Sequence, residues 1–68
     1  MTNIYSLDGI TITEGVQDMI LIRTAKAIAA DRGEKVIAND GDTSWVVGPR
    51  GGVMKMTRKT MIELGFNV

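Results

Sequence analysis

Cysteine and histidine are both missing from this 68-residue chain. Without cysteine there is no disulfide framework, no thiol nucleophile and no thiolate metal site. Without histidine, the side chain that most readily exchanges protons near neutral pH and the commonest metal ligand are gone as well. Serine and threonine are plentiful but have no recognisable activating base, so an enzyme is not expected, and neither is a cofactor. Net charge is missing too: eight Lys plus Arg balance eight Asp plus Glu. A dedicated duplex-DNA binder usually carries a basic excess, because neutralised phosphates supply much of its affinity. Aromatics are scarce, with one Trp, one Tyr and one Phe, which leaves few rings for base stacking. The longest strongly apolar run, Met19 to Ile22, is far too short to span a bilayer. The first residues, MTNIYSLDG, lack the basic and apolar regions of a secretory signal. The expectation is a cytoplasmic protein with no membrane association.

Hydrophobic residues make up 44% of the chain and proline occurs once, a composition that folds rather than stays disordered. At this length residues 1–68 are read as one small α+β domain. Such a chain buries only roughly 60% of the surface its unfolded form exposes. With no covalent staple, homodimerisation is a natural way to gain stability.

Local patterns place the elements. IYSLDGITIT reads as a hairpin with a two-residue turn at Asp8-Gly9. Pairing Leu7 with Ile10 and Tyr5 with Ile12 puts those four on one face, with Ile4, Ser6, Thr11 and Thr13 on the other. A long helix is expected from Glu14 to Arg32, with Thr13 as N-cap and Gly33 as its stop. It carries two apolar stripes: Leu21, Ile22, Ala25, Ile28 and Ala29 on one side, Val16, Met19, Ile20, Ala27 and Ala30 nearly opposite. A helix apolar on two sides is expected to be buried on two sides, the second by another subunit. KVIANDGDTSWVV reads as a second hairpin, turning at Asp40-Gly41, with Val36, Ala38, Trp45 and Val47 on one face and Ile37 and Val46 on the other. TRKTMIELG suggests a short helix with Thr57 as N-cap and Gly65 after its end.

Between them lies WVVGPRGGVMKM, residues 45–56. As a hairpin, Pro49 sets a turn corner, Gly51 or Gly52 supplies a positive φ, and Val47, Val46 and Trp45 pair with Val53, Met54 and Lys55. The rival reading makes residues 53–64 one helix, so that a glycine loop at its N-terminus could cradle phosphate. The P-loop spacing fails, because Lys55 comes two residues late. GPRG has the G-x-x-G form of a KH-domain loop, but that loop joins two helices and residues 35–47 look like strands. The hairpin is the preferred reading. Asp40 and Asp42 in NDGD do not complete a calcium loop and read as a solvated turn.

Two clusters remain as candidate sites. The acidic and basic residues are unevenly placed, and the second half holds Arg50, Lys55, Arg58 and Lys59 against Asp42 and Glu63. This quartet either solvates an edge or grips a partner. Met54 and Met56, with Met61, form a flexible apolar group that fills a core or adapts to a binding surface. The fold expected is β-β-α-β-β-β-α, two antiparallel hairpins packed on one long helix, with a short C-terminal helix. The function expected is a small non-catalytic module that binds another protein and self-associates through the second helix stripe, with Ile20 and Ala27, or through the methionine face, with Met54 and Met56. The alternative is nucleic-acid binding by the basic quartet.

Overall fold

The computed structural model describes residues 2 to 57 together with Lys59 and Ile62. Strands β1 (Asn3–Ser6) and β2 (Thr11–Glu14) precede a short 3₁₀ turn, Asp18–Ile20, and helix α1 (Leu21–Arg32). Strands β3 (Val36–Asn39), β4 (Ser44–Val47) and β5 (Val53–Met56) follow. All five strands join one antiparallel sheet in the order β2-β1-β3-β4-β5. The α+β class and the antiparallel sheet with a helix after its second strand are as expected; the second, terminal helix expected at residues 57–65 lies almost entirely outside the described residues.

The second half follows its face pattern. Val36 pairs with Val47, Ile37 with Val46 and Ala38 with Trp45. β5 continues the meander, with Val47, Val46 and Trp45 opposite Val53, Met54 and Lys55. Residues 53–56 are therefore strand, and the helical rival with its phosphate cradle is overturned.

The first hairpin differs from expectation. The turn is one residue longer: Gly9 N–H donates to Ser6 C=O at 3.0 Å and Ser6 N–H to Ile10 C=O at 2.9 Å. Gly9 takes the left-handed conformation at φ 87°, the glycine position of a three-residue hairpin loop. Ser6 favours this closure, because its hydroxyl bonds the Asp8 carboxylate and accepts the Ile10 N–H at 3.1 Å. Tyr5 then pairs with Thr11 and Ile4 with Thr13, leaving Ile12 as an extra, bulged residue. The longer turn sets Thr11 in place of Ile12 opposite Tyr5, and the bulge then returns Thr13 to Ile4; which face of β1 is inward is set by alternation and by its place beside β3 under α1. Ile4 and Ser6 are buried, while Leu7 and Ile10 are 42% and 64% exposed. Of the four residues expected to share a face, Ile12 packs against the core beside the bulge.

The helix also starts later than its periodicity suggests. Residues 11–14 are claimed by β2, so Thr13 caps nothing. Gly15 follows at φ 68°, a left-handed conformation that cannot continue a helix. The connection is held by Val16 N–H to Thr2 C=O at 3.0 Å and the Thr2 hydroxyl to Asp18 Oδ1 at 2.7 Å. At the other end Gly33 stops α1 as expected, at φ 67° with its N–H on Ala29 C=O. One stripe is buried: Leu21, Ala25 and Ala29 join Ile4, Val36, Ala38 and Val47 in the core, with Ile22, Ile28 and Trp45 packed at its margin. The second stripe is not covered in this structure. Met19 is 93% exposed, Ile20, Ala27 and Ala30 are exposed, and only Val16 turns inward. The small side chains of Ala25 and Ala29, both at 0% exposure, let α1 lie close on β3 and β4.

Candidate functional site

The candidate site is built on the last hairpin. Gly48 N–H donates to Gly52 C=O at 2.8 Å, and Gly51 N–H to Gly48 C=O at 3.0 Å. This repeats the bonding of the Ser6–Ile10 turn. Pro49 occupies the corner, where its fixed φ suits the bend, and Gly51 is left-handed at φ 89° while Gly52 is not. A Cβ at Gly51 would meet nothing within 4 Å, so the glycine is required by backbone conformation and not by crowding. Gly51→Ala should therefore cost about 1–2 kcal/mol. Arg50→Ala, which removes an exposed side chain, should stay within about 0.5 kcal/mol. Urea unfolding of the two variants checks this difference.

β5 lies at one edge of the sheet. Because Gly48 and Gly52 are a hydrogen-bonded pair, the alternation of an antiparallel ladder aims the backbone groups of Met54 and Met56 at β4. It aims those of Val53 and Lys55 outward. Side chains alternate as well. Lys55, opposite Trp45, lies on the α1 side of the sheet, and Met54, opposite Val46, lies on the far side. Val53, Met54 and Lys55 are all exposed, at 42% and 65% for the first two. Met56 is 5% exposed and has little surface left to offer a partner.

The basic residues are strung along this hairpin. Arg50 is exposed at its tip, Lys55 on its outer strand and Lys59 just beyond, while Arg58 lies outside the described residues. Among the described residues the ion pair is Arg32 with Glu34 at 3.6 Å, so Arg50, Lys55 and Lys59 are not neutralised by an acidic neighbour there. The apolar candidates are not brought together: Ile20 and Ala27 belong to the helical layer, Met54 to the opposite face of the sheet.

Beside the hairpin is a shallow hollow of about 260 Å³ lined by Lys35, Val46, Gly48, Gly52, Val53 and Met54. Sequence reasoning did not include Lys35 in a site, and it gave Val53 a place only as a backbone donor of the phosphate cradle now overturned. The two local hairpins already placed β4 between β3 and β5, but not the hollow that Lys35 and Val53 line together. A second, more polar hollow of about 480 Å³ lies between the first turn and the end of α1, lined by Ser6, Leu7, Asp8, Arg32, Glu34 and Lys35. Among the described residues no three His, Cys, Asp or Glu side chains gather to hold a metal ion. No described helix is long and apolar enough to cross a membrane.

Two turn carboxylates are held below the ordinary aspartate range. The Ser6 hydroxyl bonded to Asp8 is the main cause there. At Asp40 the cause is its side chain accepting the N–H groups of Thr43 and Asp42, at 2.7 and 2.9 Å. Both carboxyls therefore bind protons more weakly folded than unfolded. Their contribution to stability is present above the unfolded pKa, about 4, and is lost as pH falls through the lower folded values. The melting temperature should drop on acidification below pH ~4. Asp40→Asn, which keeps the acceptor oxygen but cannot titrate, should melt with a shallower dependence over that range.

Comparison with protein-family models, curated proteins and solved structures finds no match for this chain.

Proposed function

We propose that this chain is a small non-catalytic protein-interaction module and that its binding surface is the β5 edge. The observation that carries the reading is the exposure of Val53, Met54 and Lys55 in succession on an unbulged edge strand, next to an apolar hollow. Exposed edges invite pairing with another chain, and folded proteins usually blunt them. The opposite edge, β2, is blunted by the Ile12 bulge and ends in Glu14. Among the described residues β5 has only Lys55 as a guard.

The test is a photo-crosslinking residue at position 54, with Asp31 on the exposed side of α1 as the control position, in cell lysate with and without nuclease. Discrete protein adducts from position 54 that survive nuclease support the reading. Adducts that disappear with nuclease would replace it with nucleic-acid binding by Arg50, Lys55, Arg58 and Lys59, whose affinity should fall steeply with salt.

Self-association is a second part of the proposal, favoured by one observation: Met19 is 93% exposed beside Ile20 and Ala27. A homodimer through that stripe predicts a concentration-dependent rise in mass by light scattering that Ile20→Glu removes.

A further inference from the structure

We propose that the partner is an extended, acidic segment of another protein, which adds to the sheet as a strand antiparallel to β5. This deepens, and rests on, the protein-interaction reading above. Three observations converge on it. First, the outward backbone groups of Val53 and Lys55 present a donor and an acceptor each, two residues apart, as a strand partner requires. On its inner side β5 pairs with β4 continuously from Val53 to Met56, so the strand is straight enough to template another.

Second, the segment that carries this edge is basic in sequence. Residues 43–62 contain Arg50, Lys55, Arg58 and Lys59 and no acidic residue. A second copy presenting its own β5 would bring like charges together, and like charges directly opposite one another in a sheet destabilise it. An acidic strand is drawn to the same edge.

Third, the alternation of the strand sets a register. The partner residue opposite Lys55 lies on the α1 side of the sheet and is acidic. Its neighbour, opposite Met54, lies on the far side in a non-hydrogen-bonded pair, where side chains come closest. That neighbour is apolar and packs on Met54 at the rim of the hollow lined by Val46, Gly48, Gly52 and Val53. The segment recognised thus alternates acidic and apolar residues.

A synthetic peptide of four Glu-Val repeats is the probe, titrated to millimolar concentration against the full chain with backbone amide exchange as the readout. Exchange at Val53 and Lys55 should slow several-fold, whereas Met54, already bonded to β4, should hardly change. Lys55→Glu should weaken binding by roughly five- to tenfold, since an attractive cross-strand pair becomes repulsive. A Lys-Val repeat should not bind. A Glu-Val peptide methylated on the backbone nitrogens that face β5 should lose binding with the protein itself unaltered. Val53→Pro should do the same from the other side, because its lost N–H points away from β4.

Peptide binding that needs Lys55 but leaves the Val53 and Lys55 amides unprotected would overturn strand addition and leave the protein-interaction reading standing. Failure of the peptide to bind at millimolar concentration would overturn the proposal in the same way. Nuclease-sensitive adducts alone from position 54 would remove both.

Discussion

Ile4→Ala should leave the protein largely unfolded at room temperature, while Ile10→Ala should leave it nearly as stable as before. Ile4 is 0% exposed at the centre of the core, between α1 and the paired strands β1 and β3. Truncating a buried isoleucine costs about 2–5 kcal/mol, through lost burial and the cavity left behind. At roughly 0.05–0.15 kcal/mol per residue, a chain of this size has a total stability of the same order. Ile10 is 64% exposed at the end of the turn, and such a site usually responds within about 0.5 kcal/mol. The pair tests which face of β1 is inward: alternation sets Tyr5 and Leu7 against Ile4 and Ser6, so a β1 buried by its other face would make Ile4 the tolerant position. Chemical unfolding followed by far-UV circular dichroism measures both.

Ala25→Asp should abolish folding, whereas Ala27→Asp should change stability by no more than about 1 kcal/mol, the scale of a helix-propensity difference. The substitutions are chemically identical and two residues apart. Ala25 is completely buried where α1 meets the sheet. A carboxylate there would lose its hydration without a partner, a cost of several kcal/mol whether it stays charged or takes up a proton. Ala27 is exposed on the far side of α1, where a carboxylate stays in water. If Ala27→Asp also unfolds the chain, the second stripe is buried in solution, and the self-association proposal gains its strongest support. Thermal melts of both variants, with light scattering on the Ala27→Asp protein, separate these outcomes.

Much of the second half of the fold was legible because its determinants are local. Val36, Ala38, Trp45 and Val47 alternate with their neighbours, and Pro49 and Gly51 close a turn of a length that permits one register. Gly33 marked the end of α1 because left-handed backbone there strongly favours glycine. The stripe of Leu21, Ala25 and Ala29 was legible for the same reason, as 3.6-residue periodicity places it on one side whatever else surrounds the helix. The absence of cysteine and histidine excluded whole classes of chemistry before any contact was known.

Other decisions belong to the tertiary structure. Asp8-Gly9 is compatible with two hairpin loops that differ by one residue. The Ser6 side chain favours the longer one, and the pairing of β1 with β3 under α1 decided that Ile4 and Ser6 face inward. Helical periodicity ran back to Glu14, but strand pairing claimed residues 11–14 and Gly15 turned the chain. That competition is between a local preference and a partner distant in sequence. The same distant pairing decided the candidate site. Until β1 joined β3, nothing marked β2 and β5 as the two edges, and the composition of VMKM reads alike in a central or an outer strand. Met54 and Met56 have the same chemistry and share a face of β5, yet one is open to a partner and the other closed. Position along an edge is a property of the assembled sheet, and no residue carries it alone.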